Sequence, residues 1–308
     1  MRLLHHVLAD LTILVIATAG HASDQSAGVI LGVTGRVTVE SRSGAARNAA
    51  LGMRLESIDV VVLDRAATAE IYLKGGGVVR LHDATRFEMP KTAETQAKQE
   101  RLASGSIAQL ENGLWVLNDP KGSMLVSPMR GESGWESSSV MPLSPRYEAL
   151  AAPSVEFVWS GGPDKVRVVV AKRREVVWKS DAAAPGTPLN PGTALPLKAG
   201  EVYTWWLEPD SGGPPLTAGM PFRVADADVL ARTKSVESEI QALYDADRNA
   251  AAADYLRVAH FAGAGNWTRV LGLATRMEPG DARDRAIAAA TAGLRLDARA
   301  AAELASKL

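Results

Sequence analysis

Residues 73–89 read LKGGGVVRLHDATRFEM, with Gly75, Gly76 and Gly77 shortly before His82 and Asp83. Three chemistries use such parts. Backbone N–H groups of a glycine-rich loop cradle phosphate, a His–Asp pair relays a proton, and imidazole with carboxylate holds a metal. Each needs companions that this sequence does not place nearby. A phosphate loop requires Gly-Lys-Ser/Thr after its glycines, and no Gly-x-Gly-x-x-Gly opens a helix after a strand. Glycine tolerates positive φ, which tight hairpin turns demand, so Gly75–Gly77 between two alternating strands reads as a turn. Asp83 then falls at a second turn, where its carboxylate accepts backbone N–H groups.

The other candidates thin out in the same way. Of five histidines, three lie in the first 22 residues, leaving His82 and His260, and no His-Glu-x-x-His pair exists. His260, beside Phe261 in an alanine-rich stretch, reads as a packed or surface histidine. There is no cysteine, which removes thiolate metal sites, cysteine nucleophiles and disulfides. No Gly-x-Ser-x-Gly elbow or Ser-x-x-Lys pair comes with a base. Asp and Glu are scattered, so a carboxylate pair is a matter of folding alone. Asn266-Trp267-Thr268 matches a glycosylation sequon, but its place before a helical stripe favours an N-cap. The expectation is no catalytic residue, no metal and no cofactor.

The elements that position these residues fall into blocks. The 308 residues are 46% hydrophobic and 22% charged, with 34 basic against 35 acidic, a globular balance without the basic excess of a nucleic-acid surface. Residues 1–22 have Arg2, an apolar run Leu11–Ala19 and a small-residue exit at Ala22. That is the layout of a signal peptide, so periplasmic export is expected, with a retained inner-membrane anchor as the alternative. The run is shorter than the roughly 20 residues that span a bilayer, and no integral span is expected after cleavage.

Residues 27–131 alternate with period two and read as an all-β domain: Ala69, Ile71 and Leu73 on one face, Thr68, Glu70 and Tyr72 on the other. Residues 132–152 are Ser-, Pro- and Gly-rich and read as a linker, with Trp135 docking on a neighbour. Residues 153–225 carry short strands with buried aromatics, a small β-sandwich in which Tyr203, Trp205 and Leu207 face the core and Trp206 points away. From 226 to 308 the period becomes helical, beginning with Val229, Thr233, Val236, Ile240 and Leu243. The fold class is mainly β with an α-helical C-terminus.

The first block resembles the FecR-type periplasmic domain. GVTGRVTV (32–39), GMRLESIDVVV (52–62) and AEIYLKGGGVVRLHDATRFEM (69–89) carry the likeness, with RLASGSIAQL and SPMRG completing the order. Asp59 stands without the family's preceding glycine, and KGGG replaces Asp-Gly-Ser. The likeness spans about a third of the chain. Residues 153–225 are similar to immunoglobulin and fibronectin type III modules through FVWSGGPDKVRVVV, VVWKS and LKAGEVYTWWLEP. NWTRVLGLATRMEPGD is similar to one helix of a tetratricopeptide unit.

These likenesses imply a non-catalytic binding or scaffolding module in the bacterial envelope with an envelope protein partner. The FecR likeness also implies envelope signalling. Two alternatives stand beside it: a peptidoglycan- or glycan-binding accessory protein using Trp206 or Trp135, and an envelope hydrolase with a carboxylate pair.

Overall fold

The computed structural model describes residues 26–41, 44–75, 77–90, 100–101, 104–118, 140–150, 155–244 and 249–308. The expected signal peptide, Trp135, SPMRG and Gly76 lie outside the described residues. The chain is mainly β with helices gathered toward its C-terminus.

The first β unit is two facing sheets. One has five strands in the order β4 (Arg54–Glu56), β1 (Ser26–Thr34), β6 (Thr68–Leu73), β7 (Gly77–His82), β9 (Glu100–Arg101). The other has four, in the order β3 (Ala46–Asn48), β2 (Val37–Glu40), β5 (Val60–Leu63), β8 (Arg86–Glu88). Val37, Val39, Ile71, Val79 and Leu81 fill the space between them. The expected faces hold. Ala69, Ile71 and Leu73 turn to this core, while Tyr72 and Val78 on the opposite face join a second core with the helices. β1 is buried on both faces, which is why its sequence, SAGVILGVT, is a nearly unbroken apolar run.

Two boundaries differ from the expectation. The block read as all-β contains a helix, α1 (Ser104–Asn118). Leu110, Leu114 and Leu117 recur at helical spacing and are fully buried, so burial of that stripe sets its conformation. Part of the stretch read as linker is strand: β10 (Val140–Ser144) pairs with β12 (Val158–Gly161), and β11 (Ala149–Leu150) pairs in parallel with β16 (Met220–Val224). The second β unit therefore takes strands from residue 140 onward.

That unit sets a five-stranded sheet, β11–β16–β15–β13–β14, against the β10–β12 pair; β13 is Val166–Lys172, β14 Glu175–Lys179 and β15 Val202–Pro209. Phe157, Trp159, Tyr203, Trp205 and Phe222 form its core, with Trp178 stacked on Phe157 at 6.0 Å. The Tyr203 hydroxyl accepts a 2.9 Å bond from the Lys198 backbone N–H, the contact of a tyrosine corner.

The helical block is α2 (Ala227–Leu243), α3 (Ala250–Gly263), α4 (Trp267–Ala274), α5 (Asp281–Gly293) and α6 (Ala298–Ala305). The anticipated stripe of α2 buries Thr233, Val236 and Ile240. Helix α4 ends at Ala274, short of Pro279. Two similar helix pairs follow each other, α3–α4 with 14 and 8 residues and α5–α6 with 13 and 8. Helices α1 and α3 cross at backbone contact: a Cβ on Gly113 would lie 1.6 Å from the Ala259 carbonyl oxygen, and one on Gly263 1.9 Å from that of Gln109. Among the described residues no helix is long and apolar enough to cross a membrane.

Candidate binding surfaces

The 73–89 stretch is a hairpin. Leu73 pairs with Gly77 and Thr68 with His82, and Gly75 takes φ 96° in the turn, a value glycine adopts at little cost. Asp83 sits at the second turn with φ 44°, and its Oδ1 accepts the Ala66 N–H at 3.0 Å. Its carboxylate is thus spent on the backbone, as a turn aspartate's is. Asp59 has the same kind of task. Buried at 2% exposure, its Oδ2 accepts the Glu56 N–H at 2.9 Å and lies 3.7 Å from Arg47. Among the described residues no group of three or more His, Asp or Glu side chains is placed to hold a metal ion.

The hairpin does more than turn. Its helix-facing side floors a groove of about 530 Å³ lined by Thr34, Thr68, Glu70, Arg80, His82 and Asn249 among others. Strand register stacks these into two rows. Gly32, Glu70 and Arg80 stand side by side, and so do Thr34, Thr68 and His82. The first row is closed. Glu70 accepts Arg80 Nε at 2.8 Å and Asn249 Nδ2 at 3.0 Å, and Arg80 also donates to the Leu243 carbonyl at 3.2 Å. Asn249 reaches Glu70 across Gly32, where a Cβ would stand 1.9 Å from Nδ2.

A second surface is the outer face of the five-stranded sheet. In β13, Val166, Val168 and Val170 face the core, so Arg167, Val169 and Ala171 face outward. Val169 is nonetheless only 1% exposed. Its cross-strand neighbours on that face are Trp206 and Lys179, which therefore lie across it. The Trp206 ring is fixed there by its Nε1–H, which donates to Glu208 Oε1 at 2.9 Å, while Glu208 Oε2 accepts Lys179 Nζ at 2.5 Å. The Lys179 bond, and after it the Trp206 bond, hold the Glu208 carboxyl below the usual carboxylate range. Arg167 and Asp210 form a second ion pair at 2.7 Å. Val176 and Val202, at 53% and 52%, are the most exposed large aliphatics among the described residues. The face thus has an apolar centre and a charged rim, the anatomy of a contact surface.

The units carrying these surfaces are locked together. Glu148, 4% exposed, accepts the Thr268 N–H at 2.9 Å, the Thr268 hydroxyl at 2.7 Å and the Arg146 N–H at 3.3 Å. It ties the sandwich to the first turn of α4, where a negative or polar acceptor is favourable. Burial pushes its pKa up, against the opposing pull of those bonds. Ser160 donates to Glu303 Oε2 at 2.8 Å, and Arg285 to the Gly52 carbonyl at 3.1 Å, adding ties to α6 and α5. Nothing in the sequence flags Glu148 as special, since its partner lies 120 residues away.

His260 is a packed histidine at 0% exposure, lodged where α3 meets α1. Asn266 is an N-cap, accepting the Arg269 N–H at 3.1 Å. Neither lines the groove at His82. Comparison with family models, curated proteins and solved structures gives no match for this chain.

Proposed function

We propose that the protein is a non-catalytic, exported binding or scaffolding module of the bacterial envelope, built from a FecR-like β domain, an immunoglobulin-like sandwich and a helical region. The observation that carries the reading is the outer sheet face, where Trp206 is braced by Glu208 and Lys179 and the exposed Val176 and Val202 extend the same face toward one end of the sheet. Large rigid aromatics with charged neighbours are the residues that dominate protein–protein binding energy. The Glu148 joint supports a scaffold role, because a partner held on the sandwich is held in fixed relation to the helices. The tyrosine corner at Tyr203 supports the immunoglobulin-like assignment. Envelope signalling fits the same reading, with this face as the relay contact.

Two measurements test it. Cell fractionation with N-terminal sequencing is expected to give a periplasmic protein beginning after Ala22; an intact Met1 in a cytoplasmic pool would overturn export. A Trp206→Ala, Val202→Asp variant is expected to lose the envelope protein that the parent captures while its circular dichroism stays unchanged. Peptidoglycan or glycan binding is the second reading, favoured by the flat, braced Trp206 ring. It gains if the parent sediments with purified sacculi and Trp206→Ala does not.

A further inference from the structure

The groove over the hairpin is a site of a different kind from the Trp206 face. Its second row, Thr34 on β1, Thr68 on β6 and His82 on β7, brings together residues far apart in sequence through strand pairing alone. Neighbouring strands lie about 4.8 Å apart, so the row presents two hydroxyls and an imidazole at regular intervals across the floor. None of the three side chains has a hydrogen-bond partner among the described residues. Beside them, the first row is already satisfied: Glu70 binds both Arg80 and Asn249.

That arrangement selects a ligand chemistry. An oxyanion needs donors and a positive field, but the charge of Arg80 is matched by Glu70 at 2.8 Å. A metal needs several ligands, and His82 brings no second imidazole and no uncommitted carboxylate, since Asp83 accepts from Ala66 and Glu70 from Arg80. Threonine hydroxyls donate and accept, and an imidazole ring offers hydrogen-bonding nitrogens beside them. They match groups that do the same, namely ligand hydroxyls. We infer that the Thr34–Thr68–His82 row is a binding site for a neutral, hydroxyl-rich ligand, a sugar or related polyol. The ligand lies across the strand ends with the Glu70–Arg80–Asn249 wall bounding one side.

Saturation-transfer NMR on the intact protein tests this, with glucose, N-acetylglucosamine and myo-inositol as probes and inorganic phosphate as the charged control. The informative variant is Thr34→Val with Thr68→Val, which keeps shape and strand preference and removes only the hydroxyls. Two lost hydrogen bonds predict binding about tenfold weaker, and Thr68→Ser, which keeps a hydroxyl, is expected to bind like the parent. Three results would each overturn the inference: no transfer to any of the three polyols, transfer to phosphate in their place, or equal polyol binding by the parent and the double valine variant.

Discussion

Replacing His260 with leucine is expected to remove a defined part of the protein's acid sensitivity. The imidazole is wholly buried. Gln109 Nε2 lies 3.4 Å from Nδ1, while Nε2 has no hydrogen-bond partner. An amide N–H facing Nδ1 makes that nitrogen the acceptor and leaves the ring proton on Nε2. A second proton would have to go on Nδ1, donor against donor, in a site that water does not reach. Burial accordingly lowers the His260 pKa from 6.5 to about 4. The sign follows from proton counting. Above pH 6.5 both folded and unfolded chains hold the ring neutral, and no stability depends on it. As pH falls toward 4 the unfolded chain takes up a proton that the folded chain refuses, so folding weakens. The loss comes to about 2 kcal/mol at pH 5 and about 3 kcal/mol at pH 4, at 1.36 kcal/mol per pKa unit. Carboxylates add their own acid response, but the same carboxylates are present in His260→Leu, so the difference between the two proteins isolates the histidine. Urea denaturation of both from pH 7 to pH 4 should show stability curves that converge or cross by that amount. Parallel curves would refute the claim that this ring is buried, neutral and without a proton acceptor.

Three further outcomes follow from packing and hydrogen bonding. Glu148→Ala strands the part-buried Thr268 and Arg146 N–H groups and the Thr268 hydroxyl and should cost about 3 kcal/mol in chemical denaturation. Glu148→Gln should cost less than the alanine, because its one side-chain oxygen keeps part of these bonds; burial raises the glutamate's pKa, so the parent's stability falls as pH rises through the folded value while the variant's does not. Gly113→Ala pushes a methyl into the Ala259 carbonyl and should destabilise by about 3 kcal/mol, read as a lowered melting temperature with the sandwich aromatics' near-ultraviolet signal kept. Tyr203→Phe removes the acceptor of the Lys198 N–H and should lower stability by about 1 kcal/mol, without changing secondary structure.

Much of the β architecture is legible locally, because a strand with one buried face writes that face into every second residue. Ala69, Ile71 and Leu73, or Tyr203, Trp205 and Leu207, could be assigned from alternation alone, and both sets face cores. The glycines of the 73–89 stretch could be read as a turn because glycine's conformational freedom is a local property. What escaped was whatever depends on contacts between distant residues. Helix α1 sits in a β-rich block, and its Leu110–Leu114–Leu117 stripe means little until α3 lies across it. The VMPLS strand carries a proline and two polar-flanked ends, so its pairing with β12 shows only in the fold. Thr34, Thr68 and His82 are unremarkable residues on three strands until register aligns them. Glu148 is one of many glutamates until α4 supplies its donors. Trp206 is an intermediate case: alternation put it outside the core, but its brace through Glu208 to Lys179 required β14 to pair with β13.

The central claim is that the outer sheet face around Trp206 is where a partner binds, and site-specific photo-crosslinking tests it most directly. A photoreactive side chain is placed at position 202 in living cells, with position 278, exposed on the helical side, as the control. The account predicts a discrete adduct to an envelope protein from position 202 that disappears when Trp206→Ala is added, and none from position 278. No adduct from position 202, or the same adducts from both positions, would contradict it.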